Sequence, residues 1–191
     1  KLNFNAGPSA LPLEVLQQLQ EHIVDYRNEG ISIIENSHRG KSFDALYQET
    51  IELVRELLGV PEGYSVLFLG GGATLQFGMI PMNFLDPDKG ADYIRSGSWS
   101  DGAYKDARKV GPVNLLFDGS SGGYATLPAA DTVKTAEDTS YLYLCSNETI
   151  GGVQWKQWPH TGSVPLVVDM SSDILSRPVP MDQFDLVFAG V

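Results

Sequence analysis

Residues 141–149 are Tyr141-Leu142-Tyr143-Leu144-Cys145-Ser146-Asn147-Glu148-Thr149, an apolar run that stops abruptly in a polar cluster. Short apolar runs of this kind recur along the chain from residue 65 onward, bounded by Gly, Pro, Asn and Asp. A run that is apolar on both faces predicts a buried strand of a parallel sheet. We therefore predict six strands, over residues 65–69, 92–95, 113–117, 141–145, 166–168 and 186–189.

Helical patterns precede and separate these strands. Apolar side chains recur at spacings of three and four residues over 9–27 and 42–58, and helical patterns also lie at 74–84 and 99–110. Helices that alternate with buried strands predict an α/β fold with a mostly parallel sheet, covered by helices on both sides. We expect a three-layer α/β/α architecture.

The composition limits the classes of function. The chain has 191 residues with 42% apolar content, enough for one sizeable core, and a single cysteine. Its net charge of −11 disfavours nucleic-acid binding, which needs a basic face. The chain contains no run of 18 apolar residues, so no membrane span is predicted. We expect a cytoplasmic protein with no membrane or nucleic-acid partner and no metal.

Ligands of parallel sheets bind beyond the carboxyl ends of the strands, so we considered the residues that follow each run. The first feature is Gly70-Gly71-Gly72-Ala73-Thr74, where the backbone N–H groups of a helix start could hold an anion. A tight turn without a ligand explains the same glycines. The second is Trp99, which could stack on a heteroaromatic ring or serve only in packing.

Two further features are polar. The cluster Asn147-Glu148-Thr149 could donate hydrogen bonds to a ligand or close a turn on its own backbone. Asp169 ends an apolar strand, where its carboxylate could pair with a protonated ring nitrogen or cap the next element. Each feature allows both interpretations when it is taken alone.

The order and placement of these motifs make the chain recognisable. It resembles the phosphoserine aminotransferase family over all 191 residues, in Asn3-Phe4-Asn5-Ala6-Gly7-Pro8, Ser37-His38-Arg39-Gly40-Lys41, Gly71-Gly72-Ala73-Thr74-Leu75-Gln76-Phe77, Ser146-Asn147-Glu148-Thr149-Ile150-Gly151-Gly152-Val153 and Asp169-Met170-Ser171-Ser172-Asp173-Ile174-Leu175-Ser176-Arg177-Pro178. This family has the aspartate-aminotransferase-like (type I) fold and uses pyridoxal 5'-phosphate (PLP). The resemblance therefore implies residues 1–15 as an N-terminal arm directed toward a small domain, and 16–191 as a PLP-binding large domain that is incomplete at its C-terminal end.

The resemblance also implies the site. PLP would contact Gly72, Ala73, Thr74, Trp99, Thr149 and Asp169. The phosphate would lie at Ala73 and Thr74, the ring on Trp99, and the ring nitrogen at Asp169. His38 and Arg39 would bind the anionic groups of the substrate, reaching into the partner subunit's site of a homodimer.

Two positions depart from the family pattern or lie beyond the chain. Ala6 stands where some members have a substrate-contacting serine. The family's Schiff-base lysine follows Ala-Gly-x-Gln-Lys, and this chain ends Ala189-Gly190-Val191, so we expect that lysine two residues after Val191 in a longer protein. The resemblance thus assigns no catalytic lysine within these residues.

The implied reaction is the transfer of an amino group from L-glutamate to 3-phosphohydroxypyruvate, giving O-phospho-L-serine. The phosphohydroxythreonine step of vitamin B6 (pyridoxine) synthesis is a related possibility. Two alternatives stay open: another type I PLP enzyme, such as a cysteine desulfurase or a glyoxylate aminotransferase, or a non-catalytic fragment that binds a phosphorylated ligand.

Overall fold

The structure is a computed structural model that describes residues 2–5 and 7–190. The chain divides into two compact units, one up to Val66 and one from Leu67. The expected boundary between residues 1–15 and 16–191 stays a prediction. Ala6, the position that departs from the family pattern, lies outside the described residues.

The first unit contains two α-helices, α1 (Leu13–Val24) and α2 (Lys41–Leu58). Helix α1 is shorter than the predicted 9–27 because Pro12 occupies its N-cap and Asp25 has an extended backbone (φ −146°). Helix α2 matches its prediction and ends at Gly59, whose left-handed backbone (φ 63°) lets its N–H donate back to the last turn. Short 3-10 turns at Tyr26–Asn28 and Ile33–Glu35 lie between the helices.

The second unit is built on a five-stranded parallel sheet. Its strands are β1 (Ala91–Arg95), β2 (Val113–Asp118), β3 (Leu142–Cys145), β6 (Leu166–Asp169) and β7 (Leu186–Phe188), in the order β2-β1-β3-β6-β7. Every neighbouring pair in this sheet is parallel. Helices α3 (Gly72–Phe84) and α4 (Ser98–Ala107) precede and follow β1. The predicted α/β class and parallel sheet are confirmed.

Two parts of the second unit differ from the prediction. A small antiparallel ribbon, β4 (Asn147–Glu148) with β5 (Val153–Gln154), forms inside the polar cluster that follows β3. The strand predicted over 65–69 is wrong, since this segment has no regular secondary structure. An apolar run can carry the local signature of a strand without becoming one, because strand formation also depends on the rest of the fold. Leu67 and Leu69 remain more than half exposed.

A buried cluster of the second unit lies against β1, β3 and β6, and its largest members are tyrosines. The Tyr93 ring stacks on Tyr143 with centroids 4.7 Å apart, and the Tyr93 and Tyr141 hydroxyls share a hydrogen bond of 2.9 Å. Burial raises the pKa of Tyr141 to about 12, so this pair stays neutral near pH 7. Among the described residues, no helix is long and apolar enough to cross a bilayer.

Candidate functional site

The carboxyl ends of the parallel strands meet at one edge of the sheet. Cys145 at the end of β3 lies beside Asp169 at the end of β6, and Asp169 lies beside Phe188 at the end of β7. Strand β1 pairs with β3 on the other side. Trp99 follows β1 and Thr149 follows β3 closely. The topology therefore brings these three predicted positions to the same edge.

The glycine turn before α3 has the geometry of an anion site. Gly71 is the N-cap with φ 101°, a conformation that favours glycine, and a side chain there would also collide with Leu75. No side chain of the described residues caps this helix. The N–H groups of its first turn, including those of Ala73 and Thr74, thus lie at the positive end of the helix dipole without a side-chain acceptor.

The glycine turn lies against the end of β7. A Cβ atom placed on Gly190 would be 2.6 Å from the Ala73 nitrogen and 2.7 Å from the Ala73 Cβ, so the two backbones are in close contact. The Gly190 N–H donates to the Ser171 hydroxyl over 3.0 Å. Ser171 in turn donates to Asp169, so hydrogen bonds and backbone contact connect the glycine turn with the aspartate.

Asp169 is a buried carboxylate with one oxygen well satisfied and one less so. Its Oδ1 accepts from the Ser171 N–H (2.9 Å) and from the Ser171 hydroxyl (2.6 Å). Its Oδ2 accepts only a long bond from the Tyr143 hydroxyl, 3.4 Å, among the described residues. Burial raises the pKa of Asp169, against the opposing effect of these hydrogen bonds. A cation beside Oδ2 would favour the ionised form.

The interpretation of Asp169 as a helix cap does not hold, because the backbone after it forms turns and not a helix. Its bond to the Ser171 N–H is instead the two-residue pattern of an Asx turn. Sequence reasoning did not single out Ser171 as a partner of Asp169. The spacing of Asp169 and Ser171 was the available signal.

Trp99 lies in the first turn of α4 and Thr149 in the turn after β4. Trp99 is 41% exposed, so it is not simply part of the core. Its backbone N–H donates to Glu148 Oε2 over 3.0 Å, while Thr149 is half-buried next to that glutamate. Glu148 was not predicted as a site residue. The sequence around it gives no indication that Trp99 and Ser100 donate hydrogen bonds to it.

The rest of the polar cluster bonds to the loop after β6. The Ser146 hydroxyl donates to the Asp169 carbonyl over 2.9 Å and to Asp173, and the Asn147 side chain donates to the Ser172 hydroxyl over 2.8 Å. These side chains therefore join two loops of the protein. The cluster also closes a turn on its own backbone, where the Gly152 N–H donates to the Glu148 carbonyl over 2.7 Å, and its contact with a ligand stays a prediction.

His38 and Arg39 lie in the first unit, in an exposed turn just before α2. The Arg39 N–H donates to the Ser37 hydroxyl over 3.2 Å, which shapes the turn and leaves the guanidinium out of that bond. The proposed contact of His38 and Arg39 with a substrate stays a prediction.

The sequence matches the family model described as Aminotransferase class-V over residues 1–190. It is 50% identical over 188 residues to the phosphoserine aminotransferase of Lysinibacillus sphaericus strain C3-41, covering 98% of this chain and 52% of that protein. The corresponding protein of Bacillus subtilis strain 168 is 45% identical over 188 residues, with the same coverage. The chain spans about half the length of the curated relatives it matches.

Solved structures agree in fold. The phosphoserine aminotransferase from Bacillus circulans subsp. alkalophilus superimposes with a TM-score of 0.94 at 50% identity, over 98% of this chain and 52% of that one. A PLP-bound phosphoserine aminotransferase from Trichomonas vaginalis superimposes with a TM-score of 0.90 at 41% identity, over 98% and 56% of the two chains. With a family match across nearly all its residues and this agreement in fold, the chain belongs to the class-V aminotransferase family.

Proposed function

We propose that this chain is the cofactor-binding part of a PLP-dependent aminotransferase. The described residues fit the chemistry of PLP at each of its ends. The uncapped first turn of α3, at Gly72, Ala73 and Thr74, suits a phosphate dianion, because free N–H groups and the helix dipole both favour negative charge. The part-exposed indole of Trp99 suits an aromatic ring.

Asp169 carries the proposal. A buried carboxylate whose pKa is raised, and whose Oδ2 receives only a long hydrogen bond from the described part of the chain, is costly unless a cation completes it. The protonated nitrogen of a pyridine ring is such a cation. Bound PLP would supply a ring that withdraws electrons from the substrate, and Asp169 would keep that ring protonated. Ser171 and Tyr143 would hold the carboxylate in place, and Thr149 would donate to the ring hydroxyl.

The proposed reaction is amino transfer from L-glutamate to 3-phosphohydroxypyruvate, giving O-phospho-L-serine and 2-oxoglutarate. The relatives are named phosphoserine aminotransferases, which supports this substrate pair. His38 and Arg39 would bind the substrate's anionic groups, since a guanidinium can grip a carboxylate or phosphate through two hydrogen bonds. A role in serine biosynthesis, a homodimer and a cytoplasmic location belong to the same proposal, as does the phosphohydroxythreonine step of pyridoxine synthesis.

The test is a substrate comparison on the whole protein that contains this chain. With PLP bound, we expect transamination of phosphoserine with 2-oxoglutarate. Mass spectrometry of the glutamate formed measures this reaction. Release of sulfide from cysteine would favour a desulfurase, and turnover of alanine with glyoxylate would favour a glyoxylate aminotransferase. Binding of PLP without any turnover would favour the non-catalytic alternative, and absence of PLP binding would refute the proposal.

A further inference from the structure

Glu148 is a fully buried carboxylate that receives donors from the start of another element. Its Oε2 accepts from the Trp99 N–H over 3.0 Å, and its Oε1 accepts from the Ser100 N–H over 3.0 Å and from the Ser100 hydroxyl over 2.5 Å. The Ser96 hydroxyl adds a weaker contact to Oε1 at 3.5 Å. These donors lie 48 to 52 residues earlier in the chain.

The first turn of α4 is arranged around this carboxylate. Backbone N–H groups at a helix start lack partners within the helix and favour negative charge. Glu148 accepts hydrogen bonds from two of them, and its carboxylate carries the negative charge that this end of the helix favours. Gly97 leaves the space: a Cβ atom there would lie 2.3 Å from the Glu148 carboxyl carbon. The backbone of Gly97 is extended (φ −178°), a conformation that any residue adopts, so the closeness of the Glu148 side chain is what favours glycine there.

Glu148 thereby ties together the two elements that carry Trp99 and Thr149. One bond ends on the backbone of Trp99 itself, and Thr149 is the next residue after Glu148. We propose that Glu148 is a positioning residue that sets the indole of Trp99 relative to Thr149 and so shapes the place where the cofactor ring lies. This inference rests on the proposed function, because it assigns Trp99 and Thr149 to the cofactor.

A helix cap that only stabilises the fold would also be buried, so the experiment must detect an effect that passes through Trp99. The whole protein is prepared in its apo form as the parent, Glu148→Gln, Trp99→Ala and the double variant, and each is titrated with PLP. In Glu148→Gln, an amide NH2 faces the N–H of Trp99 or of Ser100, and the turn must shift to relieve the clash. The matched control is Glu137→Gln, an exposed glutamate of the same unit.

We expect Glu148→Gln to weaken PLP binding about tenfold, because returning Trp99 to its parent position in the complex again sets the amide NH2 against a buried N–H. The visible circular dichroism of the bound cofactor should also change. In the Trp99→Ala background the same substitution should weaken binding by less than about twofold, because coupled residues are not additive. Glu137→Gln should leave both readouts at the parent values.

Equal effects of Glu148→Gln with and without Trp99 would overturn the positioning role, as would an unchanged dichroism band. If Glu148→Gln does not fold, Gly97→Ala enters the same cycle, since its methyl group displaces the carboxylate and keeps its charge. A parent that binds PLP with additive variants would refute this inference alone. A parent that does not bind PLP would refute the proposed function, and this inference with it.

Discussion

Substitution of Gly190 by alanine tests the close contact between the glycine turn and the end of β7. The added Cβ would lie 2.6 Å from the Ala73 nitrogen and 2.7 Å from the Ala73 Cβ, distances at which the atoms must move apart. Neither neighbour can yield by rotating a long side chain, because one is a backbone atom and the other is fixed to it. The start of α3 must therefore shift away from the strand.

Two effects should follow. Overpacking of this kind costs about 1–3 kcal/mol of unfolding free energy. The shift also moves the Ala73 N–H that we assign to the PLP phosphate, and loss of a hydrogen bond to a charged group, about 1.5–3 kcal/mol, weakens PLP binding about tenfold or more. Urea unfolding of the apo protein measures the first effect, and titration with PLP measures the second, both on the whole protein.

The matched control lies in the same helix. Gly78 is inside α3, and a Cβ there meets nothing within 4 Å. Because alanine is the better helix former, Gly78→Ala should raise the unfolding free energy by about 0.5–1 kcal/mol and leave PLP affinity unchanged. The same chemical change at the two positions is thus expected to change the unfolding free energy in opposite directions. The reasoning is refuted if Gly190→Ala is as stable as the parent and binds PLP equally well.

Three further predictions use other parts of the structure. Burial raises the pKa of Asp169 above its ordinary value of 3.8, so the folded apo protein holds the proton more tightly and its unfolding free energy should fall as the pH rises from that value. Urea titrations should show a smaller fall of the unfolding free energy with pH in Asp169→Asn than in the parent. Part of the remaining fall is due to Asp92, because burial also raises the pKa of that carboxyl. An identical pH dependence in the two proteins would contradict this. Burial likewise raises the pKa of the Cys145 thiol, so peptide mapping should find it unmodified by iodoacetamide in native protein and modified in urea, and equal labelling in both would count against its burial. Finally, Arg39→Gln should raise the KM for phosphoserine about tenfold, a change that the exposed Arg108→Gln should not produce in the same assay; matching KM values in the two variants would remove Arg39 from the substrate site.

The strands were predictable because a buried parallel strand has a local signature. The runs that became β1, β2, β3, β6 and β7 were recognised by their apolar residues, and their predicted bounds hold within one residue. Only β2 alternates between half-buried and exposed residues, so one of its faces is not covered in the described residues. The segment at 65–69 was also predicted as a strand, yet it has no regular secondary structure, because strand formation depends on the rest of the fold as well as on the segment itself.

The candidate site shows the same division. Spacing alone could have linked Asp169 with Ser171, which lies two residues away and bonds to it through both backbone and side chain. No local pattern could have linked Glu148 with Trp99 and Ser100, since those bonds join residues 48 and 49 positions apart. The contact between Ala73 and Gly190 spans most of the second unit and is equally invisible in the sequence.

By itself, the sequence determined the α/β class, the strands that form the sheet, and the residue types that follow those strands, because periodicity and chain order are local properties. Only the tertiary structure decided which side chains share a carboxylate, which glycines are needed for space, and which apolar runs become strands of the sheet. The physical reason is that hydrogen bonds and steric contacts depend on distances between atoms, and folding alone brings distant residues to those distances.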